Sequence, residues 1–167
     1  MFKINTKKLV MLAILMALGV VLKFFSIGDG EFRISFWDIP LFIAGMIAGP
    51  FYGTLCALGA DLIYGLCFSP FPFSFIMMFT TLVWGAMGGL FYKKDVKVIV
   101  LFAVVFITSI SATLINSIYL TIYYGWESML AKLPLRLIVL IVKWPITSGL
   151  LYYLYTYVFS RWVNSKE

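Results

Sequence analysis

The chain contains no histidine, few charged residues and only two cysteines. Only 12% of its 167 residues are Asp, Glu, Lys or Arg, against roughly 25% in a soluble domain. So few charges cannot cover a globular surface in water, which argues against a water-soluble fold. The absence of histidine excludes any mechanism that needs an imidazole base or metal ligand. Cys56 and Cys67 would lie about 16 Å apart along one helix, too far for a disulfide.

Apolar residues make up 63% of the chain, and its length suggests a single domain, residues 1–167. Six helices of about 20 residues, the length that crosses a bilayer, would use nearly all of it. We therefore predict an all-α integral membrane protein with six transmembrane helices. The apolar segments cover roughly residues 8–27, 38–49, 51–68, 74–92, 97–124 and 134–162.

The second and third segments are short and meet at Gly49 and Pro50. Proline sets its own φ and disfavours helix at the residue before it, so we predict a tight helix–helix turn here. The alternative is one longer span from Leu41 to Leu66. That span would carry Pro50 and Asp61 in its interior, which disfavours it.

The distribution of charge predicts the orientation in the membrane. With six spans, eight of the thirteen cations fall on one side, whereas the opposite loops carry most of the acids. The positive-inside rule then places both termini in the cytoplasm. The same asymmetry accounts for the net charge of +6, so nucleic-acid binding need not be invoked. The eight cations are Lys3, Lys7, Lys8, Lys93, Lys94, Lys97, Arg161 and Lys166.

Small residues recur four positions apart in three of the segments. This spacing lets a second helix approach closely in lipid, either within the bundle or from a partner protein. The pairs are Ala13 with Ala17, Gly45 with Gly49, and Gly85 with Gly89.

Ionisable side chains inside a membrane span are costly and usually functional. Asp61 lies well inside the third span, where a structural pair with a Lys or Tyr of another helix is the alternative to a ligand role. Lys23 lies near the end of its span and can extend to the interface. Arg136 and Lys143 are seven residues apart and share a helical face. Two cations on one face indicate an anionic ligand, or for Lys143 a pair with Asp61 or Glu127.

Polar and aromatic groups on the predicted outer side indicate a pocket that opens outward. Asn116, Tyr119 and Tyr123 lie on one stripe of the fifth span, although an interfacial aromatic belt would have the same pattern. Residues 28–40 alternate in polarity and predict a short strand after a glycine turn. The Pro-rich, aromatic residues 69–75 predict a rigid loop. Aromatic walls with a few cations suit a flat, anionic small molecule.

The segment from Phe32 to Leu66 resembles the substrate-binding S component of energy-coupling factor (ECF) vitamin transporters of bacteria, specifically the folate family. Most of the chain shares the order and spacing of that family's motifs. The loop before the fourth helix departs from it, because this chain has Phe73 in place of the glycine and Ser74 in place of the threonine of the folate group's Phe-Pro-Gly-Phe-Thr. The matching motifs are Arg33-Ile34-Ser35-Phe36, Pro40, Gly45 to Pro50, Ala60-Asp61-Leu62, Asn116, Gly125, Pro134, Arg136 and Pro145.

The resemblance implies a mechanism without a cofactor. An S component of the bacterial cell membrane binds its vitamin outside and docks on a transmembrane coupling protein driven by two ATPases. It then topples in the membrane to release the vitamin inside. Ala13 and Ala17 match the family's docking motif for the coupling protein. The chain has no phosphate-binding loop of its own, which fits ATPases on separate chains.

The resemblance also implies how folate would be held. Phe73, Phe75 and Tyr119 would stack on its pterin ring, Asn116 and Asp61 would hydrogen-bond the polar edge of that ring, and cations would meet its carboxylates. Pyridoxine, pantothenate or another vitamin is the alternative substrate. The predicted substrate-binding residues are Arg33, Ser35, Asp61, Phe73, Phe75, Asn116, Tyr119, Arg136 and Lys143.

Two other function classes, an intramembrane enzyme and a structural subunit, are alternatives to transport. An intramembrane protease of the rhomboid type would need a histidine, and no span carries the paired carboxylates of acid–base catalysis. We therefore expect that the chain is not an enzyme. A structural or assembly subunit, whose embedded charges only pair with their neighbours, is the other alternative.

Overall fold

The computed structural model describes residues 6–25, 35–69, 73–92 and 96–159. Within these ranges the chain forms six α-helices, as predicted, and no strand. The strand expected in residues 28–40 falls mostly outside the described residues, and its described end, Asp38–Pro40, is helical. The helices are α1 (Thr6–Phe24), α2 (Asp38–Ala48), α3 (Pro50–Cys67), α4 (Phe75–Gly88), α5 (Val98–Tyr124) and α6 (Trp126–Leu154).

Helix α2 is the centre of the bundle. All eleven of its residues are buried, and α1, α3 and α4 pack around it, with α6 against one side. Eleven residues make a helix about 16 Å long, shorter than the ~30 Å hydrocarbon core of a bilayer. A helix that is apolar on all sides is stable only inside a larger apolar assembly, and the surrounding helices supply it here.

The turn between α2 and α3 is the one predicted from Gly49 and Pro50. Gly49 adopts a φ of 94°, a conformation that side chains other than glycine's rarely tolerate. Its N–H donates to the carbonyl oxygen of Gly45 at 2.8 Å, and Pro50 begins α3. The chain therefore reverses direction here, and a single helix from Leu41 to Leu66 does not form.

Glycines let α2, α3 and α4 touch through their backbones. A Cβ built on Gly45 would lie 2.3 Å from the carbonyl oxygen of Gly85, and one on Gly85 would lie 2.4 Å from that of Gly53. Two of the predicted small-residue pairs thus serve packing inside the bundle. In contrast, Ala13 and Ala17 lie on the exposed face of α1.

Substituting Gly85 by alanine is expected to destabilise the protein. The new methyl group would meet the backbone of Gly53, which cannot rotate away, and overpacking of this kind costs about 1–3 kcal/mol. Gly149→Ala is the matched control, because a Cβ there has no neighbour within 4 Å. Thermal unfolding in detergent, followed by tryptophan fluorescence, should show a lower midpoint for G85A only. Equal midpoints would contradict the close α3–α4 contact.

Helices α5 and α6 present the largest apolar surfaces. Among the described residues these two helices are long and apolar enough to cross a membrane, yet only 22% and 17% of their apolar windows are buried. The core helix of a soluble protein would be mostly buried, so this exposure fits a lipid environment.

Helix α6 begins at Trp126, well before the predicted start near residue 134. The predicted segment began at Pro134, and proline is common in the first turn of helices. The turn is made instead by Gly125, with a φ of 83°, and the helix continues through Pro134 and Pro145. A proline inside a helix removes only its own N–H bond and kinks the axis.

Candidate binding site

A cavity lies between α2, α4, α5 and α6. Three tryptophan rings form much of its wall, and polar side chains enter from all four helices. In the described ranges, no group of three His, Cys, Asp or Glu side chains that could hold a metal ion occurs. The lining residues are Trp37, Asp38, Thr80, Trp84, Ser109, Ala112, Thr113, Asn116, Arg136, Val139, Leu140, Lys143 and Trp144.

The tryptophan walls are held in place by the helices behind them. The indole Nε1 of Trp144 donates to the carbonyl oxygen of Phe102 at 2.9 Å, and its ring lies against Phe106, with centroids 4.9 Å apart. The ring of Trp84 is buried and meets Phe42 of α2 edge to face at 6.1 Å. Rings fixed in this way offer a flat ligand a surface that needs no reordering on binding.

Arg136 and Lys143 both line the cavity, which agrees with the prediction that they share one face of α6. The guanidinium Nη1 of Arg136 is buried and has no hydrogen-bond partner among the described residues. A buried donor without a partner is costly, particularly when it carries charge. In a cavity, such a donor is available to an acceptor on a ligand.

The ammonium of Lys143 pairs with Asp38 rather than with Asp61 or Glu127, so the predicted partner was wrong. Its Nζ lies 3.0 Å from Oδ2 of Asp38, an ion pair without the geometry of a hydrogen bond, and 5.8 Å from the ring centre of Phe36. Asp38 is 0% exposed. Sequence spacing could not indicate this pair, because it joins the first turn of α2 to the middle of α6.

Asn116 reaches the cavity from α5. The hydroxyl of Thr80 on α4 donates to its side-chain oxygen Oδ1 at 3.3 Å, which orients the amide. Ser109, Thr113 and Asn116 follow one another at spacings of four and three residues and form the polar face of α5. The predicted stripe ran from Asn116 toward the C-terminal end of α5 at Tyr119, whereas the lining runs toward its N-terminal end at Ser109.

Asp61 lies outside the cavity lining and forms a buried ion pair with Lys23 of α1. Thr81 donates to the same carboxylate oxygen at 3.0 Å. The ammonium of Lys23 also lies 4.6 Å from the ring centre of Trp37 and 5.4 Å from that of Tyr64. Lys23 therefore turns inward, and its expected extension to the interface is wrong, because a carboxylate and two rings hold the charge inside the bundle.

The other predicted residues that the structure describes are not among those that line this cavity. The buried ring of Tyr119 packs on Tyr123 at 4.7 Å, and Phe73 meets Phe75 edge to face at 5.3 Å. The hydroxyl of Ser35 donates to the carbonyl oxygen of Leu22 at 2.6 Å. Arg33 lies outside the described residues.

The prediction missed several lining residues, of which Asp38 and the three tryptophans are the most informative. A polar stripe on α5 and the spacing of Arg136, Leu140 and Lys143 on α6 were visible in the sequence. Asp38 and Trp37 were not, because they lie at the start of α2, where the predicted strand of residues 28–40 meets the predicted helix of residues 38–49.

A six-helix apolar bundle with a small-molecule cavity is the architecture of a membrane-embedded binding protein. The chain belongs to the family of substrate-specific components of ECF transporters, whose family model matches residues 7–165. This family is a substrate-binding component of transporters and not a family of enzymes.

Two relatives make the comparison more specific. The folate transporter FolT of Leuconostoc mesenteroides is 30% identical over 159 residues, which cover 91% of this chain and 86% of that protein. The crystal structure of FolT bound with folic acid matches this fold with a TM-score of 0.83 at 26% identity, over 93% of this chain and 96% of that one.

Proposed function

We propose that this chain is the folate-binding S component of an ECF importer and that folate binds in the cavity between α2, α4, α5 and α6. The observation that carries the proposal is the unpartnered Nη1 of Arg136 beside rigid tryptophan walls. Folate combines a flat pterin ring with a tail that ends in carboxylates. Tryptophan faces suit the ring, and a guanidinium donates strong, directional hydrogen bonds to a carboxylate. The similarity to FolT supports folate over other vitamins.

The size of the cavity indicates that it takes only part of the vitamin. Its volume is about 180 Å³, below the ~300–1,000 Å³ of typical ligand pockets. The ring would occupy the end of the cavity beside Asp38 and Lys143, and the tail would leave it past Arg136. Arg33, Ser35, Asp61, Phe73, Phe75 and Tyr119, predicted from the sequence as ligand contacts, remain predictions for that extended part of the site.

Binding of folic acid to the purified protein tests this proposal. Folic acid should quench tryptophan fluorescence, since three tryptophans line the cavity, and a titration should saturate at one site per chain. Pyridoxine and pantothenate are the comparison ligands. Mass spectrometry of a denatured extract would identify a co-purified vitamin independently. Saturable binding of either comparison ligand, with none of folic acid, would overturn the assignment.

We further propose that the six helices cross the cytoplasmic membrane of a bacterium, with both termini inside and the vitamin entering from outside. The chain would bind the vitamin and deliver it, and two ATPase subunits attached to a coupling protein would hydrolyse ATP. Toppling of the bundle would carry the cavity from one side to the other. The exposed Ala13 and Ala17 on α1 support this view, because their small side chains are not used inside the bundle.

Bulky side chains at Ala13 and Ala17 should abolish docking without weakening folate binding. Close helix approach needs small residues, so the double substitution Ala13→Leu and Ala17→Leu holds the partner helix away. Co-purification with the coupling module and folate uptake should both fall at least about tenfold, which corresponds to ~1.4 kcal/mol of docking energy.

The matched control is Ala103→Leu, which enlarges an exposed alanine of α5. It should keep both uptake and co-purification. Normal uptake by the α1 double variant would show that another surface docks.

A further inference from the structure

Asp38 combines deep burial with unused hydrogen-bonding capacity. Its carboxylate is 0% exposed and lines the cavity, and neither oxygen accepts a hydrogen bond from the described residues. The ion pair with Lys143 balances its charge through Oδ2, while Oδ1 has no partner in the described part of the chain.

A buried carboxylate without hydrogen-bond donors costs free energy unless a ligand supplies those donors. An ionised carboxylate offers about four lone-pair sites, and the large majority of buried polar side-chain atoms have at least one hydrogen-bond partner. An acidic residue needed only to tether α2 to α6 would gain more from a well-directed bond to Lys143. The remaining acceptor sites therefore suit N–H donors that a ligand brings into the cavity.

We propose that Asp38 is a specificity-determining residue that accepts two hydrogen bonds from adjacent N–H groups on the ligand's heteroaromatic ring. This inference rests on the proposed function. The pterin of folic acid has such an edge, because its 2-amino group and the neighbouring ring N–H lie side by side. Two parallel N–H donors match the two oxygens of a carboxylate, in the geometry that makes bidentate pairs strong and selective.

The positions of the charges give the bound vitamin a direction. Arg136 and Lys143 are seven residues apart on α6, which separates their Cα atoms by about 10 Å along the helix axis. The ring would lie at the Asp38 and Lys143 end, between the tryptophans, and the acidic tail would point to Arg136. One end of the cavity thus accepts hydrogen bonds from the ligand, and the other donates them.

A comparison of two probes tests the role of Asp38. Folic acid carries the donor edge, whereas 2-desamino-2-methylfolic acid has a methyl group in place of the 2-amino group. The wild-type protein should bind folic acid at least about tenfold more tightly than the analogue, the factor expected for one charge-assisted hydrogen bond. Asp38→Asn replaces one acceptor by a donor and removes the charge that strengthens both hydrogen bonds. It should therefore weaken folic acid binding more than binding of the analogue and largely remove this preference.

The controls separate recognition from folding. Asp38→Asn leaves Lys143 unpaired, so the double variant Asp38→Asn/Lys143→Met repeats the comparison without a lone buried charge, and it should also lose the preference. Glu127→Gln neutralises an exposed acid of α6 and should keep it. A wild-type protein that binds both probes equally, or an Asp38→Asn protein that keeps the preference, overturns the role of Asp38 alone. A wild-type protein that does not bind folic acid overturns the proposed function and this inference together.

Discussion

Arg136→Ala lowers the affinity for folic acid by roughly ten- to a hundredfold, the range expected for losing a hydrogen bond from a charged donor. The guanidinium has a buried nitrogen without a partner among the described residues, so its removal breaks no hydrogen bond of that nitrogen within the bundle. The loss should therefore appear in binding and not in stability. Titration of the purified variant with folic acid, followed by tryptophan fluorescence, measures the affinity.

Two further variants sharpen this result. Arg136→Lys keeps the charge without the planar fork of donors and should recover only part of the affinity. Lys132→Ala removes a cation one turn earlier on α6, outside the cavity lining, and should bind as the wild type does. Wild-type affinity in Arg136→Ala would place the carboxylates of the vitamin elsewhere.

Lys23→Ala destabilises the protein by about 3–5 kcal/mol, the range measured when one partner of a buried ion pair is removed. The substitution leaves the carboxylate of Asp61 buried, with Thr81 as its remaining partner in the cluster. It also removes the cation that lies over Trp37 and Tyr64. Thermal unfolding in detergent should show a strongly lowered midpoint.

A double variant distinguishes the loss of the ion pair itself from the cost of leaving Asp61 buried and unpaired. Lys23→Met/Asp61→Asn leaves no buried charge and keeps an acceptor for Thr81, so it should be more stable than Lys23→Ala. Lys97→Ala removes an exposed cation ahead of α5 and should change stability by less than about 0.5 kcal/mol. If Lys23→Ala and Lys97→Ala have the same midpoint of thermal unfolding, the ion pair contributes nothing to the stability of the fold.

The helices were predictable because their signals are local. Apolar runs of the right length define five of the six helices closely, and Gly49 with Pro50 defines the turn between α2 and α3. The start of α6 was missed because two local signals competed. Gly125 made the turn, and Pro134 was tolerated inside the helix.

The candidate site was predictable only in part. Asn116, Arg136 and Lys143 were found because polar groups at helical spacing stand out in an apolar sequence. The partners of the charges were not found, since an ion pair such as Lys143 with Asp38 depends on which helices become neighbours.

The sequence by itself determined that this protein is an apolar helical bundle, since composition and periodicity depend on residue types alone. The ECF substrate-specific family followed from the resemblance of its motifs. Only the tertiary structure decided which embedded charges balance one another and which face the cavity. It paired Lys23 with Asp61 and Lys143 with Asp38, and left Arg136 facing the cavity. The physical reason is that an embedded charge pairs with the nearest opposite charge. Helix packing sets the distances between the charges, so it decides which of them pair.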